Sequence, residues 1–276
     1  MERTVAVVVD YYAGELLRDC VASLQSDGVS QVVVVDNSTE GATREVLGDH
    51  AEVIETMHNL GYGRAMNRGV AFASPSEFLL LSNPDIAVHP GALAALERHL
   101  DSNPQTALVG PTIVDGNGEI YPSIRVFPNL FLAGAHALFA PLWPQNPFTR
   151  RYRAPRRDGG VDWVSGAFFL VRRDAFQSVG GFDERYFMFA EDMDLCWRLR
   201  RAGYGIDHEV DAVVTHIEGV SRSRAPRMMV RAHHISAMRF EWRTSSGLRK
   251  ALAPVAIAVL GVRYVVVSFL NLFRRS

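Results

Sequence analysis

The sequence predicts an α/β fold in which a mostly parallel sheet carries helices on both faces, followed by basic and apolar helices at the C-terminal end. The first observation is that short β-branched runs alternate with amphipathic segments from the first residues onward, which is typical of a parallel sheet. The second is that 276 residues, 48% of them hydrophobic, can bury a large core without disulfides. The third is that no internal repeat or long linker interrupts the chain. We therefore expect one domain over residues 1–221 and an extension over 222–276.

Apolar patterning defines the elements of the first part of the chain. Residues 4–9 form a continuous β-branched run, the same short pattern recurs three times, and the intervening segments place apolar residues at helical spacing. Strands are therefore predicted over residues 4–9, 31–35, 52–55 and 77–81, and helices over 15–24, 42–47, 62–72 and 91–100.

The remaining chain is less regular. Residues 110–125 favour a hairpin that turns at Asp115-Gly116-Asn117-Gly118. Residues 126–160 are rich in Pro, Phe and Arg and are interpreted as a lid or acceptor loop. A strand over 161–171, a helix over 191–202 that ends at Gly203, and a last strand over 213–217 complete the prediction.

The net charge of −1 conceals an asymmetry along the chain. Residues 219–276 hold eleven Arg or Lys and a single acid, Glu241, which makes that segment +10 and leaves residues 1–218 at −11. A basic end on an acidic body indicates an anionic surface or a phosphate-bearing partner. No nucleic-acid-binding motif accompanies the charge, so we expect no nucleic acid. Two cysteines, neither in a CxxC pair, exclude a disulfide scaffold and favour a reducing compartment.

Polar side chains gather where the predicted strands end. Asp36 follows the second strand, Asp85 ends Asn83-Pro84-Asp85 after the fourth, and His216 lies in the last. Parallel sheets bind ligands at the carboxyl ends of their strands, and a carboxylate there can hold a divalent cation on phosphates. Each residue also has a structural interpretation. Asp36 and Asp85 can close local turns, and a strand histidine is more often a core residue than a ligand.

Glu191 and Asp192 open a helix directly after the apolar Phe187-Met188-Phe189-Ala190. Desolvation against such a wall would raise a carboxyl pKa and suit a general base. Acids also favour the first turn of a helix because of its dipole, and the residues alone do not separate the two explanations.

Missing motifs argue against NAD-binding and ATP-binding folds, and against a hydrolase with a Ser nucleophile elbow. Asn59-Leu60-Gly61-Tyr62-Gly63 is not a GxGxxG after the first strand, and the only lysine, Lys250, cannot belong to a phosphate-binding loop. A GxSxG nucleophile elbow is also absent.

Taken together, the motifs resemble inverting glycosyltransferases of family 2, which have the GT-A fold of nucleotide-diphospho-sugar transferases. The resemblance covers residues 4–221 in the family's order. Within the family the chain is most similar to rhamnosyltransferases that move L-rhamnose from dTDP-rhamnose to GlcNAc-diphospho-polyprenol. The matching segments are VVVVDNS (32–38), NLGYGRAMNRG (59–69), LLSNPD (80–85), SIRVFP (123–128), WVSGA (163–167), GFDE (181–184), FAEDMDLCWR (189–198) and His216.

The resemblance implies a role for each matching residue. Asp36 would bind the uracil or thymine ring, Asp85 and His216 would hold Mg²⁺ or Mn²⁺ on the donor diphosphate, and Asp192 would deprotonate the acceptor hydroxyl. The other implied donor contacts are Asn59, Gly61, Asn67, Asn83, Arg222 and Arg224, and the implied acceptor contacts are Arg125, Trp163, Gly166 and Glu191.

Two positions depart from the family pattern. Asp10-Tyr11-Tyr12 stands where the family has Thr or Asn before Tyr-Asn, which adds a carboxylate near the expected nucleotide. Asn83-Pro84-Asp85 stands where the family has Asp-x-Asp, so this motif supplies one metal-binding carboxylate instead of two. We therefore expect the metal to be held poorly until the donor diphosphate supplies further oxygens.

The C-terminal extension is predicted to meet a membrane. Arg227, Arg231, Arg239 and Arg243 recur at multiples of four and would form one basic helical face. That face would contact anionic lipid headgroups or an acceptor diphosphate, or would simply lie in solvent. Residues 251–273 would span about 35 Å as a helix, but Arg263 at the middle costs about 3 kcal/mol and makes crossing marginal. With Pro254 expected to break the stretch, we predict a shallow anchor or an oligomer contact rather than a span.

The sequence thus predicts a peripheral or monotopic rhamnosyltransferase at the cytoplasmic face of the membrane. Its expected partners are a nucleotide sugar, a lipid-diphosphate-linked GlcNAc acceptor and the membrane surface, with a homo-oligomer possible. The alternatives are another donor such as a UDP-hexose, a polysaccharide acceptor, or a non-catalytic membrane scaffold. Asp85, Asp192 and His216 together argue against the scaffold.

Overall fold

A twisted eight-stranded sheet organises the protein, in a computed structural model that describes residues 2–127, 139, 143, 145–153, 161–217 and 226–273. Its strand order is β3-β2-β1-β4-β9-β6-β10-β5, and four of the seven strand pairings are parallel, which confirms the predicted fold class. The strands are β1 (Glu2–Asp10), β2 (Gln31–Asp36), β3 (Glu52–Glu55), β4 (Ser76–Ser82), β5 (Ile86–Val88), β6 (Thr106–Asp115), β9 (Phe168–Arg172) and β10 (Gly205–His216). A second sheet pairs β7 (Ile124–Arg125) with β8 (Trp163–Val164).

Helices cover both faces of the large sheet. Side chains alternate along β1, so that Ala6 and Val8 enter one apolar cluster and Val5 and Val7 enter the other. Helices α1 and α4 close the first cluster, and α3 and α7 close the second. The helices are α1 (Glu15–Ser26), α2 (Thr43–Leu47), α3 (Tyr62–Phe72), α4 (Ala92–Ser102), α5 (Pro147–Arg153), α6 (Arg173–Ser178), α7 (Glu191–Arg201), α8 (Pro226–Thr244) and α9 (Gly247–Phe273).

The predicted strand over residues 161–171 is wrong as one element. The chain forms β8 and β9 and leaves the ladder at residues 165–167. The break has a specific cause, because the Gly166 N–H donates to the Asp192 carboxylate and the Gly166 carbonyl accepts from the Tyr62 hydroxyl. The Asp115 turn forms as predicted, but beyond it the return arm gives one bridge to β6, between Ile120 and Val114, and residues 124–125 pair with β8 instead.

The C-terminal helices differ from the prediction in two ways. Helix α9 continues through Pro254, so the predicted break is wrong; the proline is exposed, and Ala253 and Ala256 beside it are buried. The expected single basic face is also wrong for two of its members. The Arg243 guanidinium pairs with Asp183, and Arg239 lies over the Tyr186 ring, 5.7 Å from its centroid, so both point into the body.

The outward surface of α9 is apolar instead. Every exposed residue between 248 and 265 is Leu, Val, Ala or Pro, whereas Arg249, Lys250 and Arg263 are half-buried. The larger exposed side chains recur at spacings of four and three residues, so they form one stripe along the helix, here called the α9 stripe: Leu248, Leu252, Val255, Val259 and Val262. Within the part of the chain that the structure describes, no helix combines the length and apolar character needed to cross a bilayer.

Candidate active site

The carboxyl ends of β1 and β2 place two aspartates side by side. Asp10 and Asp36 are register partners, and both are almost fully buried. The Asp36 Oδ1 accepts the Ser38 N–H at 2.9 Å, whereas its Oδ2 has no hydrogen-bond partner among the described residues. A buried carboxylate oxygen without a partner is costly, so Oδ2 is a ready acceptor for a ligand N–H.

Asp10 is used differently from its neighbour. Its Oδ1 accepts the Ala13 N–H at 2.9 Å and its Oδ2 accepts the Thr43 hydroxyl at 2.6 Å. Burial raises the pKa of Asp10, and those two hydrogen bonds partly offset the effect. The carboxylate that departs from the family pattern is therefore occupied in closing the loop after β1.

The predicted nucleotide loop is shaped by its own hydrogen bonds. The Asn59 Oδ1 accepts the Gly61 N–H at 2.9 Å and the Asn37 amide at 3.0 Å. Gly61 has φ +82°, and a Cβ there would lie 2.1 Å from the Phe187 carbonyl oxygen. Only glycine allows this close approach, so Gly61 joins the nucleotide loop to the segment before Asp192. Asn37 belongs to the matching segment VVVVDNS (32–38), but no role was predicted for it from the sequence.

Asn67 lies away from these groups. Its amide donates to the Phe182 carbonyl at 2.8 Å, and its Oδ1 accepts the Phe182 N–H at 2.9 Å. Asn67 was predicted to contact the donor, but its side-chain amide forms hydrogen bonds with the backbone of Phe182 instead.

Asp85 lies between the end of β4 and the start of β5, and it meets His216 at the end of β10. The His216 Nε2 lies 3.1 Å from the Asp85 Oδ1, and both side chains are largely shielded from solvent. Antiparallel pairing of β10 with β5 aligns His216 with Ile86, and the Ile217 N–H donates to the Asp85 carbonyl, so the backbone fixes the pair. The Tyr121 ring packs edge-on against the imidazole.

This pair suits a divalent cation only in part. A carboxylate oxygen and an imidazole nitrogen that face each other at 3.1 Å can both turn to one ion. Among the described residues, however, no group of three or more His, Cys, Asp or Glu side chains could hold a metal. The described residues therefore offer two candidate ligands at this place, and an ion bound there would need further oxygens from phosphate or water. Asn83 keeps the turn in place through its N–H, which donates to the Ala167 carbonyl at 2.8 Å.

Glu191 and Asp192 begin α7 in contrasting environments. The Asp192 Oδ2 accepts the Gly166 N–H and its Oδ1 accepts the Met193 N–H, both at 2.7 Å. Glu191 is buried, and its Oε2 has no hydrogen-bond partner among the described residues.

The pKa values of both carboxyls are raised, chiefly by burial. The Asp192 charge raises the pKa of Glu191 further, whereas the Gly166 N–H, the Met193 N–H and the Arg125 charge favour ionised Asp192. Glu191 is thus the carboxyl that keeps a proton, and Asp192 is the one that ionises.

Tyr62 contacts the same loop as Asp192, a position that no sequence pattern predicted. Its hydroxyl donates to the Gly166 carbonyl, whereas Asp192 accepts the Gly166 N–H. Burial raises the pKa of Tyr62, and the charges of Glu191, Asp192 and Asp85 raise it further. The turn that carries Asp85 reaches the same loop, because the Asn83 N–H donates to the Ala167 carbonyl.

Arg125 and Trp163, two of the predicted acceptor contacts, pack against each other, and the Arg125 charge acts on Asp192. The Arg125 guanidinium lies 5.3 Å from the Trp163 ring centroid and donates to the Pro122 carbonyl at 2.7 Å. The Trp163 indole N–H donates to the Val126 carbonyl. Arg222 and Arg224 lie outside the described residues, as does most of the predicted lid over 126–160.

Comparison with known proteins finds a matching family and relatives that are rhamnosyltransferases. A profile of glycosyl transferase family 2 matches residues 6–180. The chain is 38% identical over 252 residues to the N-acetylglucosaminyl-diphospho-decaprenol L-rhamnosyltransferase of Mycobacterium tuberculosis, covering 85% of this chain and 82% of that protein. It is 24% identical to the rhamnosyltransferase WbbL of Escherichia coli, over 71% of this chain and 76% of the relative.

Solved structures share the fold at low sequence identity. GalNAc-T7 with UDP, GalNAc and Mn²⁺ superposes with a TM-score of 0.62 at 16% identity, over 88% of this chain and about half (52%) of that one. The mannosyltransferase PcManGT of Pyrobaculum calidifontis, in complex with GDP-Man and Mn²⁺, gives 0.58 at 17% identity, over 95% and 73%. These similarities support the GT-A fold.

Proposed function

Since this chain belongs to glycosyl transferase family 2, we propose that it transfers L-rhamnose from dTDP-rhamnose to the GlcNAc of a lipid-linked diphosphate acceptor, with inversion at the sugar. The observation that carries the proposal is that residues 166–167 link the predicted base to the predicted metal residues. The Gly166 N–H donates to the Asp192 carboxylate, the Asn83 N–H donates to the Ala167 carbonyl, and Asp85 of the same turn pairs with His216. The choice of donor and acceptor rests on the rhamnosyltransferase relatives.

Donor binding is assigned to the carboxyl ends of β2 and β4. The free Asp36 Oδ2 would accept the ring N–H of thymine or uracil, which the family resemblance also assigns to it. Asp85 and His216 would hold Mg²⁺ or Mn²⁺ on the diphosphate, and the ion would offset the charge that develops on the departing nucleotide. Asn59, Gly61 and Asn83 would shape this pocket through the backbone contacts described above, and Arg222 and Arg224 would close over the leaving group.

Acceptor activation is assigned to Asp192. Its two backbone hydrogen bonds keep the carboxylate fixed and ionised while burial makes it more basic. General-base catalysis of this kind supplies roughly 10²–10⁴-fold in rate. Arg125 and Trp163 would offer a cationic and aromatic surface for the acceptor, and Glu191, next to Asp192 in the chain, would contact it as well.

The C-terminal helices are assigned to the membrane surface that carries the acceptor. The α9 stripe is apolar and exposed, and basic residues lie beside it at Arg249 and Lys250. A helix with this arrangement suits the interface of an anionic membrane. We place the protein at the cytoplasmic face as a peripheral protein, with residues 222–276 as its membrane-associating extension.

Vesicle flotation tests the membrane assignment with a matched pair of variants. Val255 and Val210 are 62% and 63% exposed, but Val255 lies in the α9 stripe and Val210 on β10. We expect Val255→Glu to lose binding to vesicles of anionic phospholipid, and Val210→Glu to keep it. Equal binding by both variants, or a soluble dimer that Val255→Glu dissociates without any vesicle binding by the parent, would overturn the assignment in favour of a protein contact.

A donor panel tests the chemistry. The purified protein is incubated with radiolabelled dTDP-rhamnose, UDP-glucose or UDP-GlcNAc and a GlcNAc-diphospho-polyprenol acceptor, with Mn²⁺, Mg²⁺ or chelator. We expect lipid-linked product from dTDP-rhamnose and divalent metal, and little from the UDP-sugars. Transfer from a UDP-sugar alone identifies a different donor, and no transfer from any of them overturns the proposal.

A further inference from the structure

The segment before the base is held in a costly conformation. Phe189 and Ala190 have φ of +68° and +63°, although neither is glycine. Side chains with a Cβ avoid this left-handed region, so the surrounding structure must hold the turn in place. Helix α7 starts immediately after it with Glu191 and Asp192, and Ala190 gives the helix no side-chain cap.

Two consecutive carbonyls of this turn accept hydrogen bonds from two different elements. The Phe187 carbonyl accepts the Tyr62 N–H at 2.9 Å, from the nucleotide loop. The Met188 carbonyl accepts the Ser236 hydroxyl at 2.8 Å, from α8. Ser236 is only 2% exposed, so no water can readily take its place.

We propose that Ser236 of α8 is a positioning residue for Asp192, acting through the Met188–Ala190 turn. The inference rests on the proposed role of Asp192 as base. Loss of the Ser236 hydroxyl frees one of the two anchored carbonyls, and the turn can then relax from its left-handed conformation. Small displacements of a base cost turnover far more than they cost substrate binding.

Ring contacts link the strained turn to α8 and α8 to α9. The His233 ring of α8 lies edge-on against Phe189, with centroids 5.5 Å apart. His234 packs against Tyr264 of α9 in turn, also at 5.5 Å. The turn that precedes the base is therefore in contact, through α8, with the helix assigned to the membrane.

Steady-state kinetics separate positioning from general stability. We expect Ser236→Ala to lower kcat at least about tenfold while donor Kd and acceptor KM change by less than about twofold. The matched control is Thr244→Ala, which removes a similar hydroxyl-to-carbonyl bond at 2.8 Å, to Phe240, without touching the turn. Ser236→Thr keeps the hydroxyl and should retain most of the activity. A kcat for Ser236→Ala within about twofold of the parent, or equal losses in Ser236→Ala and Thr244→Ala, would overturn the inference.

Strain relief gives an independent readout. Glycine adopts a positive φ without steric cost, so Ala190→Gly in the Ser236→Ala background should recover at least about threefold of the lost kcat. A packing defect at Ser236 would gain nothing from that change. No recovery in the double variant contradicts the strained-turn explanation.

Hydrogen–deuterium exchange keeps the two proposals distinguishable. Ser236→Ala should speed exchange over residues 187–194, and Thr244→Ala should not. An inactive parent protein whose Ser236→Ala variant shows faster exchange overturns the proposed function but leaves the anchored turn. An active parent with unchanged exchange and unchanged kcat in Ser236→Ala overturns the inference alone.

Discussion

The unpartnered oxygen of Asp36 makes the sharpest prediction about donor binding. Asp36→Asn keeps the shape of the side chain and can keep the Ser38 hydrogen bond through its remaining oxygen. The amide NH₂ then stands where Oδ2 was, so a donor faces the ring N–H of the base instead of an acceptor. We expect nucleotide affinity to fall and the fold to persist.

The size of the loss follows from the bond that is removed. A hydrogen bond to a charged group contributes about 1.5–3 kcal/mol, which corresponds to roughly 10- to 150-fold in Kd. Oδ2 has no other hydrogen-bond partner among the described residues, and an unsatisfied buried acceptor is costly, so the upper half of that range is expected. Calorimetry with dTDP and Mn²⁺ measures the change directly.

Asp10→Asn is the matched control, because Asp10 is the register partner of Asp36 and is equally hidden from solvent. Both of its oxygens are already used by Ala13 and Thr43, so the change should alter stability and leave dTDP affinity within about threefold. N3-methylated dTDP supplies the complementary test. It should bind the parent poorly and should not distinguish the parent from Asp36→Asn. Equal dTDP affinity in the parent and Asp36→Asn would refute the assignment of Asp36.

Three further predictions follow from the same site. Burial raises the pKa of Glu191, so the folded protein retains a proton that the unfolded chain releases, and its stability falls as pH rises from about 5 towards the raised pKa. Glu191→Gln should flatten that fall in a series of melting temperatures, and an unchanged pH slope would count against the buried proton. Without a donor, the protein should bind Mn²⁺ too weakly to be measured by calorimetry. Binding of Mn²⁺ should appear when dTDP is added, and it should be lost in Asp85→Asn. Tight Mn²⁺ binding without nucleotide would contradict the two-ligand site. Gly61→Ala should lower the free energy of unfolding by more than Gly91→Ala, which shares a positive φ but has open space around it, and equal losses would show that contact with Phe187 is not critical.

The fold was predictable where short-range patterns decide it. The short apolar runs of β1, β2 and β4 are typical of a sheet buried on both faces, and their ends locate Asp36 and Asp85. The helix that begins at Glu191 was likewise visible from its spacing and from Gly203 at its end.

What escaped prediction depends on partners distant in sequence. The break at Gly166 exists because its N–H finds Asp192, 26 residues later, and Ser236 reaches Met188 across 48 residues. Arg243 looked like a lipid-facing charge until Asp183 and Asp194 supplied partners 60 and 49 residues away. No local pattern records such pairings, so charge periodicity alone assigned the wrong face to α8.

Single-turnover transfer of rhamnose from dTDP-rhamnose to GlcNAc-diphospho-polyprenol, by the parent and by Asp192→Asn, measures whether Asp192 is the base. We expect inverted product from the parent, and a rate about 10²–10⁴-fold lower in Asp192→Asn with dTDP affinity preserved. Transfer by Asp192→Asn near the parental rate, in a protein that still binds dTDP, would contradict the assignment of Asp192 as the base.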